Sequence, residues 1–200
     1  MNDEILEFIK KVQAISQTGL SFSKDVYALE NYEELKAVSI EMLSKYTGVT
    51  GRDADLYRDY TYPTPQPAVR TLVVEAGKIL LVQERESGLW SLPGGWCDID
   101  QTPAANAVKE VWEESGYHVQ ITKLLGVFDR RNYLERSLYD VYCFYFLGEK
   151  VGGEPLPNHE TIAVDWFPID QLPPLSRKNS YEEIRKAYEV YIAGGDAYFE

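Results

Sequence analysis

The spacing of apolar residues predicts helices at the start of the chain. Between residues 2 and 15, apolar side chains such as Ile5 and Ile9 recur at helical spacing, and the same periodicity runs over Val26–Tyr46. The intervening stretch 18–21, Thr-Gly-Leu-Ser, is typical of a turn. We therefore expect a small helical hairpin at the amino terminus.

The pattern changes to strands after residue 67. β-branched and apolar runs predict five strands, at Val69–Glu75, Lys78–Gln83, Val119–Phe128, Ser137–Leu147 and Thr161–Phe167. Two helices are predicted among them, at Pro103–Ser115 and Tyr181–Ala193. The first has clear end signals, with Thr102 as N-cap, proline at the first helical position and Gly116 as the stop. Strands interrupted by two helices predict an α/β sandwich.

Closely spaced prolines separate the two patterns. Residues 63–67 contain three prolines, which favour an extended and stiff backbone. We therefore predict a helical extension over 1–62, a linker over 63–67 and a second domain over 68–200.

Charge and composition narrow the class of function. The 20 Lys and Arg face 32 Asp and Glu, which gives a formal net charge of −12, and no basic run of five or more occurs. Sequence-independent nucleic-acid binding is therefore disfavoured. The chain shows neither a signal peptide at its start nor ~20 consecutive apolar residues. We expect a soluble cytoplasmic protein without membrane association, in which Cys97 and Cys143 are reduced packing thiols.

The helix predicted at 103–115 carries a cluster of carboxylates. Glu110 lies three residues before Glu113 and four before Glu114, so all three side chains can converge on one patch. A solvated helix face is the ordinary explanation of such a cluster. Here, however, the glycine pair at 94–95 precedes it, and glycine lets a loop bend tightly and approach a ligand. Hard carboxylate oxygens select Mg²⁺ or Mn²⁺, and a diphosphate is the natural partner of those ions.

The order of these residues resembles the signature of the Nudix hydrolases: Gly, five residues, Glu, seven residues, Arg-Glu-aliphatic, one residue, Glu-Glu, one residue, Gly-aliphatic. Six positions match, namely Gly95, Glu110, Val111, Glu113, Glu114 and Gly116. Gln101, Lys109 and Tyr117 depart from it. An amide oxygen at 101 can still accept a hydrogen bond from an ammonium at 109.

The resemblance carries expectations about fold and cofactor. It implies a Nudix α/β/α sandwich with a mixed sheet, preceded by the helical hairpin. It also implies that Glu110, Glu113 and Glu114, together with Gly95, form the site of Mg²⁺ or Mn²⁺. The two departures at 101 and 109 leave the number of ions and the orientation of the glutamates open.

The hairpin narrows the resemblance to a bacterial subgroup that acts on CDP-choline and ADP-ribose. It implies hydrolysis of the pyrophosphate bond in a nucleoside diphosphate linked to another group, with CDP-choline, giving CMP and phosphocholine, favoured. ADP-ribose hydrolysis, processing of RNA ends and a non-hydrolytic ligand-sensing module stay as alternatives.

Other candidate residues follow from position and chemistry. Glu160 precedes the last predicted strand and is a candidate general base, with a solvated loop residue equally open. Candidate substrate contacts are the cations Arg85, Arg130 and Arg131, the aromatic residues Trp96, Phe128 and Tyr133, and His159. Core packing is the ordinary role of Phe128. The hairpin buries too little surface to be stable alone, so its apolar face must dock on the second domain or on another subunit, and we favour a homodimer.

Overall fold

The computed structural model describes residues 3–134 and 137–200. These residues form two compact units, one built from residues 3–65 and 137–139 and the other from 66–134 and 140–200. Within the described ranges, no helix is long and apolar enough to cross a membrane.

The first unit is a helical hairpin with a folded tail. Helix α1 spans Asp3–Phe22, helix α2 spans Val26–Thr47, and a short 3₁₀ turn follows at Gly51–Ala54. The buried Gln13 side chain of α1 donates to the Ala54 carbonyl and accepts from the Leu56 amide, at 2.9 and 3.1 Å. The segment after α2 is therefore fixed against the hairpin, with the core formed by Leu6, Ile9, Leu43 and Ala54.

The turn predicted at 18–21 is wrong, because α1 continues through it to Phe22. A Cβ at Gly19 would lie 2.5 Å from the Tyr32 ring, so the glycine permits close packing of the two helices rather than a turn. The hydroxyls at both ends of the stretch donate to carbonyls four residues earlier. Residues with turn chemistry are thus accommodated within one helix.

The second unit contains a seven-stranded mixed sheet. The strands are β1 (Gln66–Glu75), β2 (Lys78–Glu84), β3 (Trp90–Ser91), β4 (Tyr117–Asp129), β5 (Val141–Gly153), β6 (Thr161–Pro168) and β7 (Tyr198–Phe199). Their order is β3-β2-β1-β5-β4-β7, with β6 beside β2; β1 and β5 are parallel, as are β4 and β7. The last proline of the predicted linker lies within β1, where Pro67 pairs with Tyr142.

The bounds predicted for β5 are wrong at both ends. The prediction of Ser137–Leu147 places its start in residues that belong to the first unit, whereas the strand starts at Val141. It continues to Gly153 because the long strand β4 keeps pairing with it as far as Tyr117. The run of apolar residues stops earlier than the pairing does, which is why periodicity misplaced the carboxyl-terminal end.

The two remaining helices cover opposite faces of the sheet. Along β1, Val69 and Val73 pack with residues of helix α3 (Pro103–Ser115), while Leu72 packs with residues of helix α4 (Tyr181–Ala193). Successive side chains of a strand point to opposite faces, so the helices form two outer layers. The predicted α/β/α sandwich and the predicted amino-terminal hairpin are confirmed. Both cysteines are free thiols.

Candidate active site

The end signals of α3 decide where its glutamates lie. The Thr102 hydroxyl accepts from the Ala105 amide at 3.1 Å, and Pro103 occupies the first turn. At the other end Gly116 has φ 79°, and its amide donates to the Trp112 carbonyl. The caps fix the length of the helix, so the carboxylates of its last two turns stand beside the loop after β3.

Glu114 is bonded directly to that loop. Its carboxylate accepts a hydrogen bond from the Gly94 amide at 2.8 Å, and the residue is only 2% exposed. Gly94 has φ 148°, and a Cβ there would lie 2.1 Å from the Val69 carbonyl oxygen. Only glycine fits this position. The first glycine of the pair is therefore required for the contact between loop and helix.

Burial makes the charge of Glu114 costly. It raises the pKa of this carboxyl to about 7, even though the Arg70 guanidinium, the Gly94 amide and Lys178 act in the opposite direction. The Lys178 ammonium lies 3.8 Å from the carboxylate. A buried carboxylate with a raised pKa is stabilised by a proton or by a metal cation.

The second glycine makes room for Glu110. A Cβ at Gly95 would lie 2.7 Å from Oε2 of Glu110, so the absent side chain leaves a space over this carboxylate. Burial also raises the pKa of Glu110. The Gly95 carbonyl accepts a bond from the Val69 amide at 2.9 Å. Gly95 therefore contributes space beside the glutamate, while its carbonyl is bonded to β1.

Lys109 lies among the acidic side chains. Its ammonium is 3.0 Å from Asp98, 3.2 Å from Glu113 and 3.5 Å from Glu110. These carboxylates raise the pKa of Lys109, Asp98 most of all. The bond expected from Gln101 to Lys109 does not form. Gln101 is exposed, and its side chain makes no hydrogen bond to any residue that the structure describes.

The donor set fits a hard divalent ion. Glu110, Glu113 and Glu114 offer only oxygen atoms, as Mg²⁺ and Mn²⁺ prefer, and the space at Gly95 and the two raised pKa values favour a cation beside them. As they stand, no three acidic, His or Cys side chains of residues 3–134 and 137–200 are gathered tightly enough to hold a metal. The ammonium of Lys109 bridges two of the glutamates in this arrangement.

Two clefts meet at the glutamates. The first has a volume of about 770 Å³ and contains four cationic side chains together with the exposed Trp96; the cations are Arg70, Arg130, Arg177 and Lys178. The second, of about 720 Å³, contains His159, Trp112 and Leu156. Five carboxylates line each cleft, but among the described residues the lining of the second includes no lysine or arginine. Both are lined by the same three acidic residues, Glu110, Glu114 and Glu160. Trp96, Arg130 and His159 are thus predicted contacts that do line a cleft.

Glu160 lies on a loop with well-defined backbone bonds. Asn158 Oδ1 accepts from the Glu160 and Thr161 amides at 2.7 and 2.9 Å, and the Asn158 amide group donates to the Glu113 carbonyl. The Glu160 side chain itself is 58% exposed. An exposed carboxylate on a fixed loop at the junction of both clefts is well placed to contact a water or a substrate there.

Arg85 has a different role from the predicted one. Its guanidinium donates to the His159 and Asn158 carbonyls, at 2.9 Å each, and it does not line either cleft. The expectation of a substrate contact is replaced by a structural contact, because the guanidinium stabilises the backbone of the loop before Glu160.

Three further predicted contacts also lie outside the clefts. Phe128 is fully buried and packs against the Tyr133 and Tyr145 rings, so it belongs to the core. The Tyr133 hydroxyl donates to the Glu200 carboxylate, and Arg131 is paired with Asp129. Only the expectation for Phe128 is corrected, since its ring is buried; Tyr133 and Arg131 are bonded to carboxylates outside the two clefts.

Sequence reasoning missed several residues of the first cleft. Arg70 is a buried cation inside an apolar strand, and this unusual position is the signal that identifies it. Glu84 and Lys178 come together only through the fold, 3.6 Å apart, across 94 positions of the chain. Asp98 lies between the signature positions 95 and 101, and no sequence pattern distinguishes it from an ordinary loop residue.

Known proteins match both units. Residues 64–189 match the family model of the NUDIX domain, and residues 3–55 match that of a UDP-X-like, N-terminal oligomerisation domain. The chain is 41% identical to the Bacillus subtilis protein YjhB, provisionally named an ADP-ribose pyrophosphatase, over 88% of this chain and 86% of that protein.

Two solved structures are also similar. The crystal structure of a UDP-X diphosphatase covers the whole of both chains at 31% identity, with a TM-score of 0.66. That of an ADP-ribose pyrophosphatase from Streptococcus suis covers 68% of this chain and 100% of its own at 40% identity, with a TM-score of 0.63.

Proposed function

The chain belongs to the Nudix hydrolase family, and we propose that among the substrates of this family it cleaves the pyrophosphate bond of CDP-choline, giving CMP and phosphocholine. Its class of activity is that of a pyrophosphohydrolase acting on nucleoside diphosphate-linked molecules, and enzymes of this family generally need divalent metal ions. The proposal concerns the choice of substrate, the ion and the roles of individual residues.

One observation carries the proposal. Glu110, Glu114 and Glu160 line two separate clefts and stand at their junction. A nucleoside diphosphate linked to a second group has the same layout, with one organic part on each side of a diphosphate. A substrate whose diphosphate lies at the glutamates has one cleft for its nucleoside and another for its leaving group.

The proposed metal ligands are Glu110, Glu113 and Glu114, with the Gly95 carbonyl beside them. Bound Mg²⁺ or Mn²⁺ supplies polarisation of phosphoryl oxygens and a lower pKa for a coordinated water. Glu114 is oriented by its bond to the Gly94 amide, and Glu110 lies under the space left by Gly95. The protein thus contributes two preset carboxylates.

Glu160 is the proposed general base. Its carboxylate is exposed at the junction of the clefts, and its backbone is bonded to Asn158 and Arg85. A base must lie within reach of the attacking water, and a fixed backbone keeps the carboxylate at the junction where the diphosphate is proposed to bind. Its role is to remove a proton from the water as the bond to phosphorus forms.

The first cleft suits the nucleotide. Lys178 and Arg70 are cations beside the proposed diphosphate position, and Arg130 and Arg177 add positive charge in a chain whose formal net charge is −12. Trp96 is 54% exposed at the edge of this cleft and offers a face on which a base can stack. His159, in the other cleft, is proposed to contact the leaving group.

The second cleft favours a cationic leaving group. Its lining has Glu113 and Glu154 in addition to the three shared glutamates, without the lysine and arginines that line the first cleft, and Trp112 is 52% exposed. Carboxylates attract a quaternary ammonium, and an aromatic face binds it by a cation–π contact. Choline satisfies both requirements, which supports CDP-choline over substrates with a neutral or anionic second group.

ADP-ribose is the second candidate, since two similar proteins carry the name ADP-ribose pyrophosphatase. A panel of CDP-choline, ADP-ribose, a UDP-linked sugar and a short RNA, each with Mg²⁺ or Mn²⁺, tests the choice by chromatography of the products. CMP with phosphocholine at the highest kcat/KM is expected. A higher kcat/KM for ADP-ribose contradicts the substrate proposal, and binding without any product identifies a non-hydrolytic module.

We also propose that the hairpin forms a homodimer. Its family match is to an oligomerisation domain, and its helices expose Phe8, Phe22 and Tyr27, with 69, 62 and 78% of their surface accessible. Light scattering on a sizing column tests the mass. The double variant Phe8→Ser, Phe22→Ser is expected to give a monomer, whereas Val151→Ser, an exposed apolar residue of the other unit, keeps the dimer. A wild-type monomer at micromolar concentration contradicts the proposal.

A further inference from the structure

The signature of the family has an acidic position and, eight residues later, a basic one, and this chain departs at both. Gln101 stands where the signature has glutamate, and Lys109 where it has arginine. The structure shows a different partner for Lys109, because its ammonium lies 3.0 Å from Asp98. We propose that Asp98 is a positioning residue that replaces the missing glutamate and holds Lys109 in place between Glu110 and Glu113. The inference rests on the proposed metal site.

The backbone of Asp98 is tied to the start of α3. Its amide donates to Oδ1 of Asn106 at 3.0 Å, and the Asn106 side chain donates in turn to the Thr102 carbonyl at 3.2 Å. Asn106 is fully buried. A buried amide side chain that satisfies both of these bonds fixes the loop to the helix, so Asp98 and Lys109 belong to one rigid frame.

Position 101 lies beyond a bend in the same loop. Asp100 has φ 62°, a left-handed backbone conformation, and Gln101 after it is exposed. Asp98, and not the residue at 101, is therefore the residue of this loop that contacts Lys109. An ion pair with Lys109 also needs a negative charge, which Asp98 carries and the neutral amide of Gln101 does not.

The charges around Lys109 explain what Asp98 contributes. One ammonium lies within 3.5 Å of three carboxylates, namely Asp98, Glu113 and Glu110. With Asp98 present, the lysine is shared, and the two glutamates keep part of their charge for a metal. Without it, Lys109 pairs only with those glutamates and competes with the metal for them. Loss of Asp98 should therefore weaken metal binding without removing any metal ligand.

The test measures binding of Mn²⁺ to the full-length protein by calorimetry. Asp98→Asn is expected to weaken Mn²⁺ binding about tenfold, the scale typical of groups that orient metal ligands. Asp100→Asn is the matched control. It removes the same charge two positions away, asparagine tolerates its left-handed backbone, and the affinity should stay within about twofold.

A double-variant cycle shows whether Asp98 acts through Lys109. In a Lys109→Met background, Asp98→Asn should change the Mn²⁺ affinity by less than about twofold, because the residue it positions is gone. An unchanged affinity of the single variant, or a full tenfold loss in the Lys109→Met background, overturns the inference. If the wild type itself binds no Mn²⁺, the proposed metal site fails, a result distinct from failure of the Asp98 role alone.

Discussion

The Gly94 amide donates to the Glu114 carboxylate at 2.8 Å, which joins the loop after β3 to the last turn of α3. The same contact buries the carboxylate and orients it. An ionised group in such a place is costly unless a cation compensates it. The stability of the protein and its affinity for metal are therefore linked through this residue.

That linkage predicts how stability depends on pH without metal. The folded-state pKa of Glu114 is raised from 4.5 to about 7, so the folded protein holds a proton that the unfolded chain has lost. The contribution of Glu114 to the free energy of unfolding is fully present below pH 4.5. It falls by about 3 kcal/mol as the pH rises towards 7. Glu114→Gln stays neutral and escapes this loss.

The measurement is thermal unfolding in EDTA across pH 4.5 to 8. The midpoint of Glu114→Gln, relative to that of the wild type, should rise from pH 4.5 to about 7 and level off above that pH. A difference that is constant with pH contradicts the raised pKa. Mn²⁺ at pH 8 should stabilise the wild type and have little effect on the variant.

Gly95→Ala tests the space over Glu110. The new Cβ would lie 2.7 Å from Oε2, and the end of a flexible side chain can move away, so the unfolding midpoint should change little. The displaced carboxylate should weaken Mn²⁺ binding about tenfold. Gly152→Ala, where a Cβ meets nothing within 4 Å, is the control. Unaltered binding in Gly95→Ala would show that this space is not used.

Glu160→Gln tests the proposed base. The side chain is exposed and the backbone bonds of its loop do not depend on it, so folding should be unaffected. Removal of a general base lowers kcat, typically by about 10² or more, with KM nearly constant. A change confined to KM would make Glu160 a binding residue instead.

The sequence predicted the helix that carries the glutamates because each of its signals is local. The Thr102 cap, the Gly116 stop and the spacing of the glutamates need only neighbouring residues, and all lie where they were expected. Phe128 and Tyr133 could not be placed in the same way. Whether an aromatic side chain faces a cleft or the core depends on strands and a carboxyl-terminal residue far away in the sequence.

The partner of Lys109 shows a second limit of sequence reasoning. Chemical type makes Gln101 an acceptable acceptor, but the backbone bends at Asp100 and the Asp98 amide donates to Asn106, so Asp98 is the residue that contacts Lys109. Similarly, Lys178 meets Glu114 only through the segment between β6 and α4. Contacts of this kind depend on the path of the backbone and not on the residue type.

The central claim is that glutamates of α3 hold the metal ion that supports hydrolysis. The most direct measurement is the turnover of CDP-choline and ADP-ribose by Glu113→Gln, whose side chain is 41% exposed, so that folding is preserved. We predict that kcat falls at least about a hundredfold, that EDTA abolishes wild-type activity and that Mg²⁺ or Mn²⁺ restores it. Wild-type turnover by Glu113→Gln, or full activity after thorough chelation, would contradict the claim.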